Sequence, residues 1–104
     1  LIRSTPLEHI VCRYSYDIHP LPQLYRGRVL LIGDAAHAKS PTRARGMTSG
    51  WEDALALSRY LVSEDDIPAA LAAFEAERLP IVHQYQRTSR EQSQRIGRQR
   101  KRVA

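Results

Sequence analysis

The sequence predicts an α/β fold in partial form, one or two strands followed by two or three helices, and three observations carry that prediction. The first is an aliphatic run, Arg28 to Ile32, stopped by Gly33. The second is a loop of small and turn-forming residues that continues from Gly33 through Pro41 and Thr42 to Gly46. The third is a pair of helix-forming stretches behind that loop, from Met47 to Val62 and from Ala69 to Arg78. At 104 residues and 42% hydrophobic composition, the chain has room for one small domain or for part of a larger one.

The elements follow in order. His9 to Tyr16 alternates, with Ile10, Cys12, Tyr14 and Tyr16 on one face and Val11, Arg13 and Ser15 on the other, which is the pattern of a half-buried strand. Pro20 and Pro22 end it, and Gly27 predicts a turn. The run after Gly27 reads as a strand covered on both faces of a mixed or parallel sheet. Such a strand needs neighbours of similar character, and the rest of the sequence offers none, so it points to a sheet larger than this chain.

In the next stretch Met47, Trp51, Ala54, Leu55, Ser58, Leu61 and Val62 recur at three and four, predicting a helix with these residues inward. Ser49 followed by Glu52 has the spacing of a capping box near its start. Asp66 before Ile67 and Pro68 signals the start of a second helix, with Leu71 and Phe74 as its inward pair. Pro80 is expected to break or kink that run. A last helix from about Ile81 then packs Ile81, Val82 and Tyr85 before it dissolves into a basic tail.

Composition excludes several classes of function. The single cysteine, Cys12, has no internal disulfide partner, and His9, His19, His37 and His83 lack the spacing of metal ligands. No metal site is expected. No apolar run approaches the roughly 20 residues that cross a bilayer, and no basic then apolar leader opens the sequence. A cytoplasmic setting without membrane partners is the expectation. The net charge is +5, but its distribution argues against nucleic acid. Ten of the 11 acidic residues precede Leu79, whereas seven of the 16 basic ones follow it. That basic tail has no aromatic residue after Tyr85 on which a base could stack. It reads as a solvated face.

The chemistry concentrates between Arg28 and Ala54. Gly33 and Asp34 place a carboxylate at the carboxyl edge of a strand, where open α/β sheets bind ligands and where sugar-like hydroxyls find an acceptor. Ala35 and Ala36 keep the wall thin. Gly46 allows close approach to a flat ring. The helix that starts just behind it directs unpaired N–H groups and a positive dipole end toward the loop, favouring an anion or a ring that becomes one.

These residues also carry a resemblance. Gly33, Asp34, Ala35, Ala36 and His37, then Pro41, Gly46, Met47, Gly50, Glu52, Asp53 and Ala54, match without a gap the second flavin-binding motif of class A FAD-dependent monooxygenases. Gly27 and Arg28 fit as well, and the Ala70 to Arg78 helix is similar to the family's usual run. The chain thus resembles the C-terminal part of a para-hydroxybenzoate hydroxylase-like flavoprotein. The implied fold is part of a Rossmann-like FAD-binding domain. Residues 1–20 would be the end of a substrate-domain strand and its connection, and residues 21–104 the C-terminal segment of the FAD-binding domain with its basic tail.

By the same resemblance Asp34 would hydrogen-bond the ribityl chain of FAD, and Gly33 would let the backbone turn beneath it. Pro41 would stand beside the isoalloxazine, and Gly46, Met47 and Thr48 would offer amides to its pyrimidine end. The implied activity uses NAD(P)H and O2 to insert one oxygen atom into an aromatic-type small molecule, with the N-terminal half of the same protein as a necessary partner. The fragment alone, lacking a Gly-rich pyrophosphate loop, is expected to be inactive. The sequence departs from the family at Arg43, Ala44 and Arg45, where relatives carry a Gly-containing triplet, and at Thr48, where Asn is usual. Arg43 is read as facing solvent, Trp51 as a core residue and His37 as ordering its loop. Glu52 and Asp53 are read as charges near the start of a helix. Two alternatives stay open: a related flavoprotein such as a halogenase or polyprenyl reductase, and a non-enzymatic truncated or basic interaction fragment.

Overall fold

Gly27, at φ 60°, reverses the chain between two short antiparallel strands, β1 (Tyr25–Arg26) and β2 (Val29–Leu30), which pair Tyr25 with Leu30 and Arg26 with Val29. The structure is a computed structural model, and it describes residues 2–11, 16–39 and 45–103. One further backbone bond, from Leu31 N to Leu24 O at 2.9 Å, extends the hairpin. After it come a one-turn helix α1 (Asp34–His37), then α2 (Gly46–Ser63) and α3 (Ile67–Val103).

The doubly covered strand expected over Arg28 to Ile32 is thus only a two-residue ladder. Val29 is 68% exposed, and Leu31 and Ile32 are open to solvent, because no parallel neighbour flanks the strand among the described residues. Among the described residues, no part of the half-buried strand expected over His9 to Tyr16 is found. Leu7–His9 is a 3-10 turn, Ile10 and Val11 are exposed in irregular backbone, and Tyr16 belongs to no strand. Cys12, Arg13, Tyr14 and Ser15 lie outside the described residues.

α2 begins at Gly46, with Arg45 as its N-cap residue. Ser49 is therefore inside the first turn, where it cannot act as the expected cap. The face of α2 that is buried is also the opposite of the expected one. Ser49, Asp53 and Ala56, spaced by four and three, pack inward, whereas Met47, Trp51, Leu55, Leu61 and Val62 are exposed. Trp51 at 68% exposure is not a core residue here. Small Ser49 and Ala56 admit the bulkier α3, and the polar Asp53 between them is satisfied by partners from the turn after β2, from α1 and from α3. The apolar stripe meets no comparable surface among the described residues.

α3 starts as its sequence predicts. Asp66 Oδ1 accepts the Ala69 N–H at 2.7 Å, and Leu71 and Phe74 are buried. Of the break or kink expected at Pro80, the break does not occur, since α3 is continuous over 37 residues. Pro80 forfeits one helical hydrogen bond, yet both flanks are pinned. Ahead of it Glu75 Oε2 accepts the Leu24 N–H at 2.7 Å. Behind it His83 Nε2 donates to Leu21 O at 2.7 Å, and Gln86 Nε2 donates to Ile18 O at 3.1 Å and Ala38 O at 3.2 Å. Arg90 Nε reaches Asp17 Oδ2 at 3.0 Å. At a rise of about 1.5 Å per residue, this helix sets the 59 Å long axis of the molecule.

The hydrophobic core is small. Leu24, Ala36, Ala56 and Phe74 form it, with Leu30, Leu57, Tyr60 and Leu79 packed around them. Fully burying a ring such as Phe74 stabilises by about 1.5–3 kcal/mol. The core joins the hairpin, α1, α2 and α3, so the end of β2 and the start of α2 are fixed against the same helix.

Candidate functional site

The sharp turn between β2 and α1 depends on Gly33, whose φ of 61° and ψ of −145° suit a residue without Cβ. The N–H groups of Ala36 and His37 both bond to the Gly33 carbonyl at 3.0 Å, closing α1 immediately after the turn. This leaves the Asp34 side chain exposed at the strand's end.

The start of α2 lies against that turn. A Cβ on Gly46 would stand 3.9 Å from Asp34 Oδ1, and one on Gly50 would stand 3.8 Å from Gly33 Cα. Ser49 N bonds to Arg45 O at 3.0 Å, so the amides of Gly46, Met47 and Thr48, ahead of it, have no carbonyl behind them within the helix. A carboxylate acceptor and the positive end of a long helix therefore border one another. The predicted Asp34, Gly33, Gly46, Met47 and Thr48 come together, while Pro41 and Arg43 lie outside the described residues.

Beneath this surface is a buried polar assembly. Asp53 Oδ2 accepts the Gly33 N–H at 3.0 Å and lies 2.6 Å from His37 Nε2, while Oδ1 accepts Arg78 Nε at 2.8 Å. Arg78 Nη2 also donates to Ser49 O at 3.4 Å and to Glu52 Oε2 at 3.2 Å, and Tyr85 OH donates to the same Glu52 oxygen at 3.4 Å. His37 and Asp53 are buried. Burial alone would raise the Asp53 carboxyl pKa, but hydrogen bonds from His37, Gly33 and Arg78 overcome it and hold the group below its ordinary value. Lys39 donates to Ser49 Oγ, and burial lowers its pKa.

His37 thus orders its loop, as its position suggests, but it does so through a carboxylate partner that sequence reasoning did not find. Asp53 and Arg78 were missed because Asp53 looks like one of two adjacent helix charges. The signal available was the stripe of small or polar residues Ser49, Asp53 and Ala56 on one helical face. Arg45 adds a cation at the edge, with its guanidinium 5.6 Å from the Tyr85 ring centre.

Comparison with known proteins identifies the family of the chain. A family model described as FAD binding domain matches residues 20–89, well over half of the chain. Kynurenine 3-monooxygenase of Stenotrophomonas maltophilia is 54% identical over 55 residues, which are 53% of this chain and 12% of that protein. Aurachin C monooxygenase/isomerase of Stigmatella aurantiaca is 40% identical over 79 residues, 76% of this chain and 21% of that protein. The crystal structure of Klebsiella pneumoniae HpxO complexed with FAD and uric acid superposes with a TM-score of 0.71 at 38% identity, over 73% of this chain and 20% of that one. The chain therefore spans only about an eighth to a fifth of these relatives' length. No helix among the described residues is long and apolar enough to cross a membrane. With the family model matched over residues 20–89 and an α-rich piece of the same fold, the chain belongs to the FAD-binding-domain family of monooxygenase-type flavoproteins.

Proposed function

We propose that this chain is the segment of an FAD-dependent monooxygenase that grips the ribityl chain and the pyrimidine end of the flavin. The observation that carries this reading is the apposition of the Asp34 carboxylate to Gly46 at the start of α2. The surfaces present fit the cofactor: an exposed acceptor suits the ribityl hydroxyls, and a glycine beside it keeps the cleft free of a further side chain. Amides of Gly46, Met47 and Thr48 suit a carbonyl-bearing ring edge that gains negative charge on reduction. When bound, FAD supplies the oxygen-activating redox chemistry, and the protein supplies binding, orientation and electrostatics.

In this reading Gly33 and Asp53 fix the direction of the Asp34 side chain, and α2 presents its positive end to the ring. The full protein takes electrons from NAD(P)H and oxidises an aromatic-type small molecule with O2, in the cytoplasm. This substrate class is supported by relatives that are monooxygenases of kynurenine and aurachin C and by one solved with uric acid. The exposed stripe of Met47, Trp51, Leu55 and Val62, with Val29, Leu31 and Ile32, is the surface on which the N-terminal half of the same protein packs.

The test is made in the polypeptide carrying the whole FAD-binding domain. Asp34→Ala is expected to lower the FAD content of purified protein, read from the flavin absorbance per chain. Unchanged loading would remove the assigned role. The 104-residue chain by itself, which lacks a Gly-rich pyrophosphate loop, is expected to bind FAD only weakly, and a stoichiometrically yellow preparation would contradict that.

A further inference from the structure

A half-buried ammonium group stands at the positive end of α2, where elementary electrostatics disfavours it. Lys39 Nζ lies 2.9 Å from Ser49 Oγ, 3.1 Å from His37 Nδ1 and 3.3 Å from the His37 carbonyl oxygen. These contacts use the three donors of the group. Since an ammonium only donates, Nδ1 must accept, which leaves the ring proton on Nε2 to meet Asp53 at 2.6 Å. Lys39 is thereby tied to α1 through His37 and to the first turn of α2 through Ser49, the two elements that border the Asp34 and Gly46 cleft.

The local charge balance gives this arrangement a second meaning. Arg78 occupies Asp53 and Glu52 by direct contact, so those carboxylates are already shared with a buried cation. Burial lowers the Lys39 pKa, and the charges of Asp34 and Asp53 oppose that effect. The region at the start of α2 thus combines a fixed helix dipole with the Lys39 cation; of the carboxylates acting on that cation Asp53 and Glu52 are shared with Arg78 and Asp34 is not, and the helix end and the ammonium together favour an anionic ligand.

We propose that Lys39 is a positioning residue of the flavin site, clamping α1 to α2 and holding a fixed positive charge behind the ring, so that the reduced, anionic form of the cofactor binds more tightly than the oxidised form. The proposal rests on the assignment of the Asp34 and Gly46 cleft to FAD. It names a residue outside the motif residues that approach the cofactor directly.

The experiment compares wild type, Lys39→Met, Lys39→Gln and Lys39→Arg in the FAD-loaded protein carrying the whole domain, by redox titration of the bound flavin against a reference dye and by thermal unfolding. A unit charge acting across several ångströms at an effective dielectric near 20 is worth roughly a factor of ten in binding. Lys39→Met and Lys39→Gln are therefore expected to lose about tenfold in the preference for reduced flavin, about 30 mV for a two-electron couple. Lys39→Arg is expected to restore most of it. Lys39→Gln keeps hydrogen-bond donors without charge, so a fall in its melting temperature with an unaltered potential would reduce Lys39 to a structural role and overturn the proposal. In that outcome FAD remains bound and the assignment of the cleft survives. Absence of FAD from the wild-type protein would overturn both.

Discussion

The carboxylate of Asp53 accepts the backbone N–H of Gly33 at 3.0 Å across 20 residues of sequence, and this bond holds the turn after β2 against the middle of α2. Gly33 would otherwise present an amide at a strained turn with no regular ladder to join. Asp53 supplies the acceptor, and His37 and Arg78 keep the carboxylate in place.

The pH dependence of stability should report this carboxylate. Its folded-state pKa lies below the ordinary value of 3.8, so it stabilises the fold above that value and the contribution is lost as pH falls through the lowered one. Urea unfolding should therefore weaken progressively as the pH is taken below about 4. Asp53→Asn should show a flatter acid limb over the same range.

Removing the charge also strands a cation. The Arg78 side chain is 6% exposed and Asp53's is 2%, so Asp53→Ala leaves a guanidinium with one of its two carboxylate partners gone. Breaking a buried pair from one side costs about 3–5 kcal/mol, a large share of a small domain's total of about 5–15 kcal/mol. Chemical denaturation of the variant and of the double variant Asp53→Asn with Arg78→Met would check this, the second being expected to recover part of the loss.

Two glycines of the site should respond differently to alanine. At Gly33 the φ of 61° makes any L side chain unfavourable although nothing lies within 4 Å of the added Cβ, so Gly33→Ala is expected to cost about 1–3 kcal/mol through backbone strain. At Gly46 the backbone is helical and the new Cβ would meet Asp34 Oδ1 at an ordinary 3.9 Å. Gly46→Ala should leave the melting temperature nearly unchanged while lowering FAD affinity in the protein with the whole domain. A matched loss of stability in both variants would contradict the distinction.

The core and the cap make a final pair. Phe74 is fully buried between the hairpin, α1 and α2, and Phe74→Ala should cost about 3–5 kcal/mol, enough to abolish a cooperative thermal transition by circular dichroism. Asp66→Ala removes the acceptor of the Ala69 N–H and should cost about 1 kcal/mol, whereas Asp66→Asn should cost much less.

The sequence made parts of this arrangement legible and hid others. Gly27 as a turn, Asp66 as a cap and Leu71 with Phe74 as an inward pair each depend on signals within a turn or two, and each is present in the structure. The reading of Trp51 as core failed because helical periodicity identifies an apolar stripe without saying whether a partner covers it. In this chain α3 meets the opposite face. Pro80 was a similar case, since a local preference to end the helix gave way to contacts from Glu75, His83, Gln86 and Arg90 on either side.

By itself, then, the order of residues determined the Gly33 to Ala54 motif, the turn and cap chemistry and the segregation of basic charge behind Leu79, because these are properties of neighbours along the chain. Only tertiary structure decided which face of α2 is buried, that α3 continues through Pro80, and that Asp53, His37 and Arg78 meet. The physical reason is range. Backbone preferences act over a few residues, whereas a buried charge is tolerable only where distant segments deliver enough partners to replace water.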